Sequence, residues 1–131
     1  MTGSHPPHLA IDTLNHFVFL PHPGSGTLSV FSYNASTGVA SVVSGSPFSG
    51  GGISSPYDAA VDTTNHLVFV TDDTTSGSLS VFSDNPASGA LTPVSGSPFP
   101  SGSLNDPMGV AVDTTHHSSE VPLKGQKKTV F

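Results

Sequence analysis

"SLSVFSDNPASGALTPVSGSPF" (residues 78–99) falls residue for residue on "TLSVFSYNASTGVASVVSGSPF" (27–48), at an offset of 51. Upstream, "PYDAAVDTTNHLVFVT" (56–71) falls on "PPHLAIDTLNHFVFLP" (6–21) at an offset of 50, so Pro6, Asp12, Asn15 and His16 recur as Pro56, Asp62, Asn65 and His66. A third copy opens with "PMGVAVDTTHH" (107–117) and then departs from the pattern. A repeat of about 50 residues points to a solenoid, a propeller or an array.

Each copy holds four strand-like runs. In the second they are "DAAVD" (58–62), "HLVFV" (66–70), "SLSVFS" (78–83) and "ALTPV" (90–94), rich in Val, Phe, Leu and Thr. The separators "TTN" (63–65), "DDTTSG" (72–77) and "DNPASG" (84–89) read as hairpin connections. Pro93 makes the last run an edge strand, because proline cannot donate to the ladder. The predicted unit is a four-stranded antiparallel meander, and such sheets stacked radially are propeller blades.

Composition agrees. Only 9% of the 131 residues are charged, there is no cysteine, and Gly, Pro, Ser and Thr fill the separators. No Lys, Arg or Glu occurs before Glu120, and all three lysines (Lys124, Lys127, Lys128) lie near the C-terminus. An acidic body without fixed cations excludes nucleic acid as a partner. A phosphorylated ligand would have to be held by backbone N–H groups. No run approaches the roughly 18 apolar residues of a spanning helix, and the N-terminus shows neither the basic region nor the apolar run of a targeting signal, so no membrane insertion is expected.

The repeated pattern, Pro before an inner strand ending in Asp, then "LVFVT", "LSVF", "GALTPV" and "GSPF", resembles the repeats of lactonase-like seven-bladed β-propellers and, more broadly, the Tyr-Val-Thr-Asn type of propeller repeat. The resemblance covers about residues 6–117. It implies an all-β chain with a tail (1–5), blade 1 (6–55), blade 2 (56–106), the first strand of a third blade (107–117) and a divergent tail (118–131). Closure takes 4–8 blades, so this is an incomplete propeller. Lactonase-type members, as the resemblance implies, use Arg, His and Glu at the central opening. This chain has no Arg, and its one Glu lies beyond the repeats.

Candidate site residues follow from what the repeat leaves unexplained. His16, His66 and His117 recur at one hairpin position and are read as turn residues, since a ligand or catalytic base is usually unique. Asp12, Asp62 and Asp113 end inner strands, where a carboxylate accepts backbone N–H groups of the following turn. His5, His8 and His22 stand near the N-terminus and are read as solvent-exposed. Asp72 and Asp73 replace "HP" of the first copy. They are placed in the loop between second and third strands, on the face that carries a propeller's site, where carboxylates can take Ca²⁺ or a sugar-like hydroxyl ligand. His22, Asp72 and Asp73 are therefore the candidate binding residues, for a small-molecule or sugar-like ligand. No catalytic residue, metal site or cofactor is assigned. No Gly-x-Ser-x-Gly elbow supports a serine nucleophile. "SGGGISS" (49–55) is read as a flexible connector, and Phe48 and Phe99 as packing between sheets.

A two-blade piece leaves apolar sheet faces uncovered, so self-association through them is expected. The reading is a structural or binding module without a complete active site. The alternative is a lactone hydrolase, 6-phosphogluconolactonase-like, formed only by oligomerisation or in a longer chain. A surface-layer interaction repeat is a third class that the composition permits.

Overall fold

The computed structural model describes residues 7–74, 77–100, 110–113, 118–121 and 129–130. His5, His117 and the three lysines lie outside these residues.

The described residues are all-β and antiparallel. The first sheet has the order β1 (Ala10–Asp12), β2 (Phe17–His22), β3 (Thr27–Tyr33), β4 (Ala40–Val42). The second has β5 (Pro56–Asp62), β6 (Leu67–Asp72), β7 (Ser78–Asp84), β8 (Leu91–Pro93), with the short β9 (Phe99–Pro100) also pairing with β7. A third contains β10 (Ala111–Asp113), β11 (Ser118–Val121) and β12 (Thr129–Val130). The two full sheets are the meanders expected for blades 1 and 2, with Pro93 on edge strand β8. The region read as a divergent tail carries β11 and β12, and β11 continues the meander from β10 through Ala111↔Glu120. Backbone pairing makes that strand although the side-chain pattern has changed.

Repeat equivalence extends to the turns. Asp12 accepts the N–H groups of Leu14 (2.9 Å) and Asn15 (2.8 Å) and the Asn15 side-chain amide (2.8 Å). Asp62 does the same for Thr64, Asn65 and the Asn65 amide. Each turn closes on a histidine in the left-handed region, His16 at φ 65° and His66 at φ 58°. Asx-type capping and a positive-φ residue are what a tight connection between antiparallel strands requires.

Alternation sends one face of blade 1 into the core. Phe17, Phe19, Leu28 and Val30 are buried with Val68, Val70 and Phe82 of blade 2 in one apolar cluster. Burying a side chain of this size contributes about 2 kcal/mol, so the stacked faces are the main source of cohesion between blades. The opposite face of blade 2, through Phe69, Leu79 and Val81, meets Val110 just before β10. Phe48 packs at the edge of the first cluster, as expected. Phe99 does not pack in the same way and is 40% exposed.

The connector 49–55 is tied down. The Gly51 carbonyl accepts the hydroxyls of Ser80 (2.9 Å) and Ser97 (3.1 Å), and Ile53 is buried in the apolar cluster. Gly51 sits at φ 60°, where a Cβ would stand 2.8 Å from the Phe82 ring, so only glycine lets this segment lie flat on blade 2.

Candidate functional site

The ends of the inner strands, the loop after β6 and the connector between blades meet at one rim. Tyr57 and Asp58 enter it because β5 begins with a register irregularity between Pro56 and Asp58. Asp58 is buried. Its Oδ1 accepts the N–H of Ala59 (2.8 Å), and its Oδ2 accepts the N–H of Val110 (3.0 Å), fastening the second sheet to the chain entering the third. His8 approaches from the first sheet: its N–H donates to the Tyr57 carbonyl (3.0 Å), its ring stands edge-on to Tyr57 at 5.9 Å, and its Nδ1 lies 3.8 Å from Asp58 Oδ2. The His8 side chain is 61% exposed, so this long ion pair contributes little to stability.

Burial raises the Asp58 carboxyl above its usual range, against the lowering effect of the Val110 and Ala59 N–H groups and of His8. Tyr57 is shifted in the same direction by burial, with the charges of Asp73 and Asp58 adding to it. The Tyr57 hydroxyl and the Thr71 hydroxyl, both buried, make no hydrogen bond within the described residues. The rim therefore offers an exposed imidazole, a buried carboxylate engaged with backbone, and two hydroxyls able to donate or accept.

Asp72 and Asp73 belong to the same rim. Asp72 is the last residue of β6 and not part of a loop, and it is 2% exposed. Its Oδ1 accepts the N–H groups of Ser54 (2.9 Å) and Ser55 (2.8 Å), and its Oδ2 accepts the Ser54 hydroxyl (2.9 Å). The Asp73 N–H donates to the Ser55 carbonyl (2.8 Å). A shallow cavity of about 460 Å³ opens beside them, lined by Gly52, Ser54, Asp72, Thr74, Ser78 and Pro98 among others. His22 is not brought to this cavity. It belongs to the face of blade 1 that points away from blade 2, and its Nε2 is 2.8 Å from Ser29 Oγ. Among the described residues no three His, Cys, Asp or Glu side chains gather as a metal site.

His8, Tyr57 and Asp58 were not singled out by sequence. The signal that could have found them is the departure within the repeat: Asp58 stands where the first copy has His8, at the start of the inner strand.

No family model matches the chain, and no curated protein matches it. Among solved structures it is similar to a "putative 6-phosphogluconolactonase" from Bacteroides uniformis, with a TM-score of 0.76 and 16% identity over 95% of this chain and 35% of that one. It is also similar to a chain of a nidogen/laminin complex, with a TM-score of 0.59 and 14% identity over 95% of this chain and 46% of that one. The chain thus spans less than half the length of either. Among the described residues no helix is long and apolar enough to cross a membrane. At these identities the likeness concerns the fold, which is all-β and of the propeller type.

Proposed function

We propose that the chain is a blade-bearing module of a lactonase-like propeller, with a structural or binding role and no complete active site of its own. The observation that carries this reading is how the rim carboxylates are used: Asp58 holds Ala59 and Val110, and Asp72 holds Ser54 and Ser55. Carboxylates committed to backbone N–H groups are positioning groups. The sequence has no Arg and the described residues include no Lys, so among them no fixed cation stands ready to hold an anionic substrate or a developing oxyanion. The test is hydrolysis of δ-gluconolactone and its 6-phosphate followed at constant pH. The expected rate is that of buffer alone, and turnover proportional to protein concentration would end this reading.

The second reading is a lactone hydrolase completed by oligomerisation or in a longer chain. It is favoured by the unpartnered Tyr57 and Thr71 hydroxyls beside the raised carboxyl of Asp58. In it the rim residues Asp72 and Asp73, with His22 from the separate outer face of blade 1 brought in by a neighbouring copy or a longer chain, contribute polar groups around a small hydroxylated ligand, and Tyr57→Phe abolishes turnover while the fold is kept.

A further inference from the structure

The hairpin between the third and fourth strands of each blade folds alike in the two copies and differs in chemistry. In blade 1 it reads "NASTG" (34–38), in blade 2 "NPASG" (85–89). Asn34 Oδ1 accepts the N–H groups of Ser36 (2.8 Å) and Thr37 (3.1 Å), and the Gly38 N–H donates to the Asn34 carbonyl (2.7 Å). Asn85 Oδ1 accepts those of Ala87 (2.8 Å) and Ser88 (3.2 Å), and the Gly89 N–H donates to the Asn85 carbonyl (2.7 Å). Both are Asx turns. Only the first has a hydroxyl residue two places after the asparagine and a residue other than proline between them, the Asn-x-Ser/Thr pattern that accepts an N-linked glycan. Asn15 and Asn65 are followed by His-Phe and His-Leu, and Asn105 by Asp-Pro, so the sequence holds this pattern once.

The structure adds access to the pattern. Asn34, Ala35, Ser36 and Thr37 are all exposed. Blade 2 shows that this holds beside a neighbouring blade: Gly89 is buried against the Phe17 ring of blade 1, yet Asn85, Pro86, Ala87 and Ser88 stay exposed. The tip of the hairpin is therefore open when blades are stacked, and access to Asn34 does not depend on what lies against blade 1. The carboxamide is also available. Asn15 and Asn65 each donate their amide nitrogen to an aspartate at 2.8 Å, whereas Asn34 enters its turn through its oxygen. The Tyr33 N–H donates to the His16 carbonyl (3.1 Å), which sets this hairpin beside the β1–β2 turn, at the other end of the strands from the rim of Asp58 and Asp72.

We propose that Asn34 is an acceptor site for an N-linked glycan, transferred from a polyprenyl diphosphate-linked oligosaccharide. The bond formed joins Asn34 Nδ2 to the anomeric carbon of the first sugar. The bond broken joins that carbon to the diphosphate, which leaves with the polyprenyl chain, and Nδ2 gives up one proton to a base of the transferase. Ser36 supplies the hydroxyl that the copy in blade 2 lacks, and Ala35 keeps the backbone N–H and the freedom in φ that Pro86 lacks. A glycan there adds bulk and polarity at the hairpin end of blade 1 and leaves the rim clear. The inference goes beyond the module reading and does not rest on it.

Incubation of the folded, purified chain with a single-subunit oligosaccharyltransferase and a polyprenyl diphosphate-linked oligosaccharide tests this, read by intact-protein mass with the enzyme shown active on a short acceptor peptide. The expected product carries one glycan, on Asn34. Asn34→Asp, which keeps an acceptor oxygen for the turn, and Ser36→Ala, which keeps the N–H that donates to Asn34, each abolish the mass increase with an unchanged circular dichroism spectrum. Pro86→Ala combined with Ala87→Ser gives blade 2 the same pattern in the same turn and gains a second glycan, on Asn85. An unchanged mass of the folded chain overturns the proposal, and so does a glycan that survives Ser36→Ala or a combined variant that gains no second one.

Discussion

Asp72 and Ser54 are joined twice: the Ser54 N–H donates to Oδ1 and its hydroxyl to Oδ2, both at 2.9 Å. With the Ser55 N–H on the same Oδ1, one buried carboxylate fixes the point at which the chain leaves blade 1 and enters blade 2. Asp72→Ala leaves three donors without their acceptor and is expected to cost about 3 kcal/mol. Asp72→Asn, which keeps one acceptor oxygen, costs about half as much. Urea unfolding of the two variants checks the order.

Gly38 and Gly89 are equivalent positions with the same φ of 78°, but their surroundings differ. A Cβ on Gly38 meets nothing within 4 Å, whereas on Gly89 it would stand 2.8 Å from the Phe17 ring of the other blade. Gly38→Ala is therefore expected to cost about 1 kcal/mol for the left-handed backbone alone. Gly89→Ala carries that cost and about 1–3 kcal/mol more from overpacking. Equal losses in denaturant unfolding would contradict the stacking of Phe17 on this turn.

Stability is expected to fall as pH rises above the ordinary carboxylate range. Asp84 is buried, its carboxylate finds no hydrogen-bond partner in another of the described residues, and burial raises its pKa from 3.8, with His66 opposing the rise, the Asp12 charge adding to it and its own backbone N–H lowering it slightly. Asp58 is raised from the same value, again chiefly by burial. For a raised carboxyl the folded state binds the proton more tightly than the unfolded state. Its contribution is complete below 3.8 and is lost as pH climbs through the raised folded value. Asp84→Asn flattens this dependence and, by removing a buried unpaired charge, stabilises the chain near neutral pH by on the order of 1 kcal/mol. Thermal unfolding across a pH series reads both effects.

Asp12→Ala removes the acceptor for Leu14, Asn15 and the Asn15 amide and is expected to cost about 2 kcal/mol. His16, whose N–H donates to the Asp12 carbonyl at 2.8 Å, closes the same turn. His16→Gly costs less than His16→Val, because glycine accepts the left-handed backbone and a β-branched residue does not. A reversed order in thermal unfolding would refute the turn assignment.

The meanders were legible because a repeat with strict alternation fixes both strand number and register. The hairpin roles of Asp12, Asp62, His16 and His66 were legible for the same reason, since a position that recurs with its turn is a property of the turn. Asp72 was harder to place. "DDTTSG" has the composition of a solvated loop, and nothing local shows that the strand runs one residue into it or that Ser54 and Ser55 arrive as donors. The rim cluster of His8, Tyr57 and Asp58 depends on contacts between different sheets, which a repeat cannot encode because the residues differ from copy to copy. Phe99 shows the limit of the analogy: it copies Phe48 in sequence, but among the described residues it is not packed against an apolar cluster as Phe48 is and stays 40% exposed.

Face-to-face stacking of the two blades is the central claim, and nuclear Overhauser contacts between Phe17 and Gly89 test it most directly. The structure predicts cross-peaks from the Phe17 ring protons to the Gly89 α-protons, which belong to different blades. Their absence, in a sample that retains the cross-strand contacts of Val68 with Phe82, would mean that the sheets form without stacking as blades.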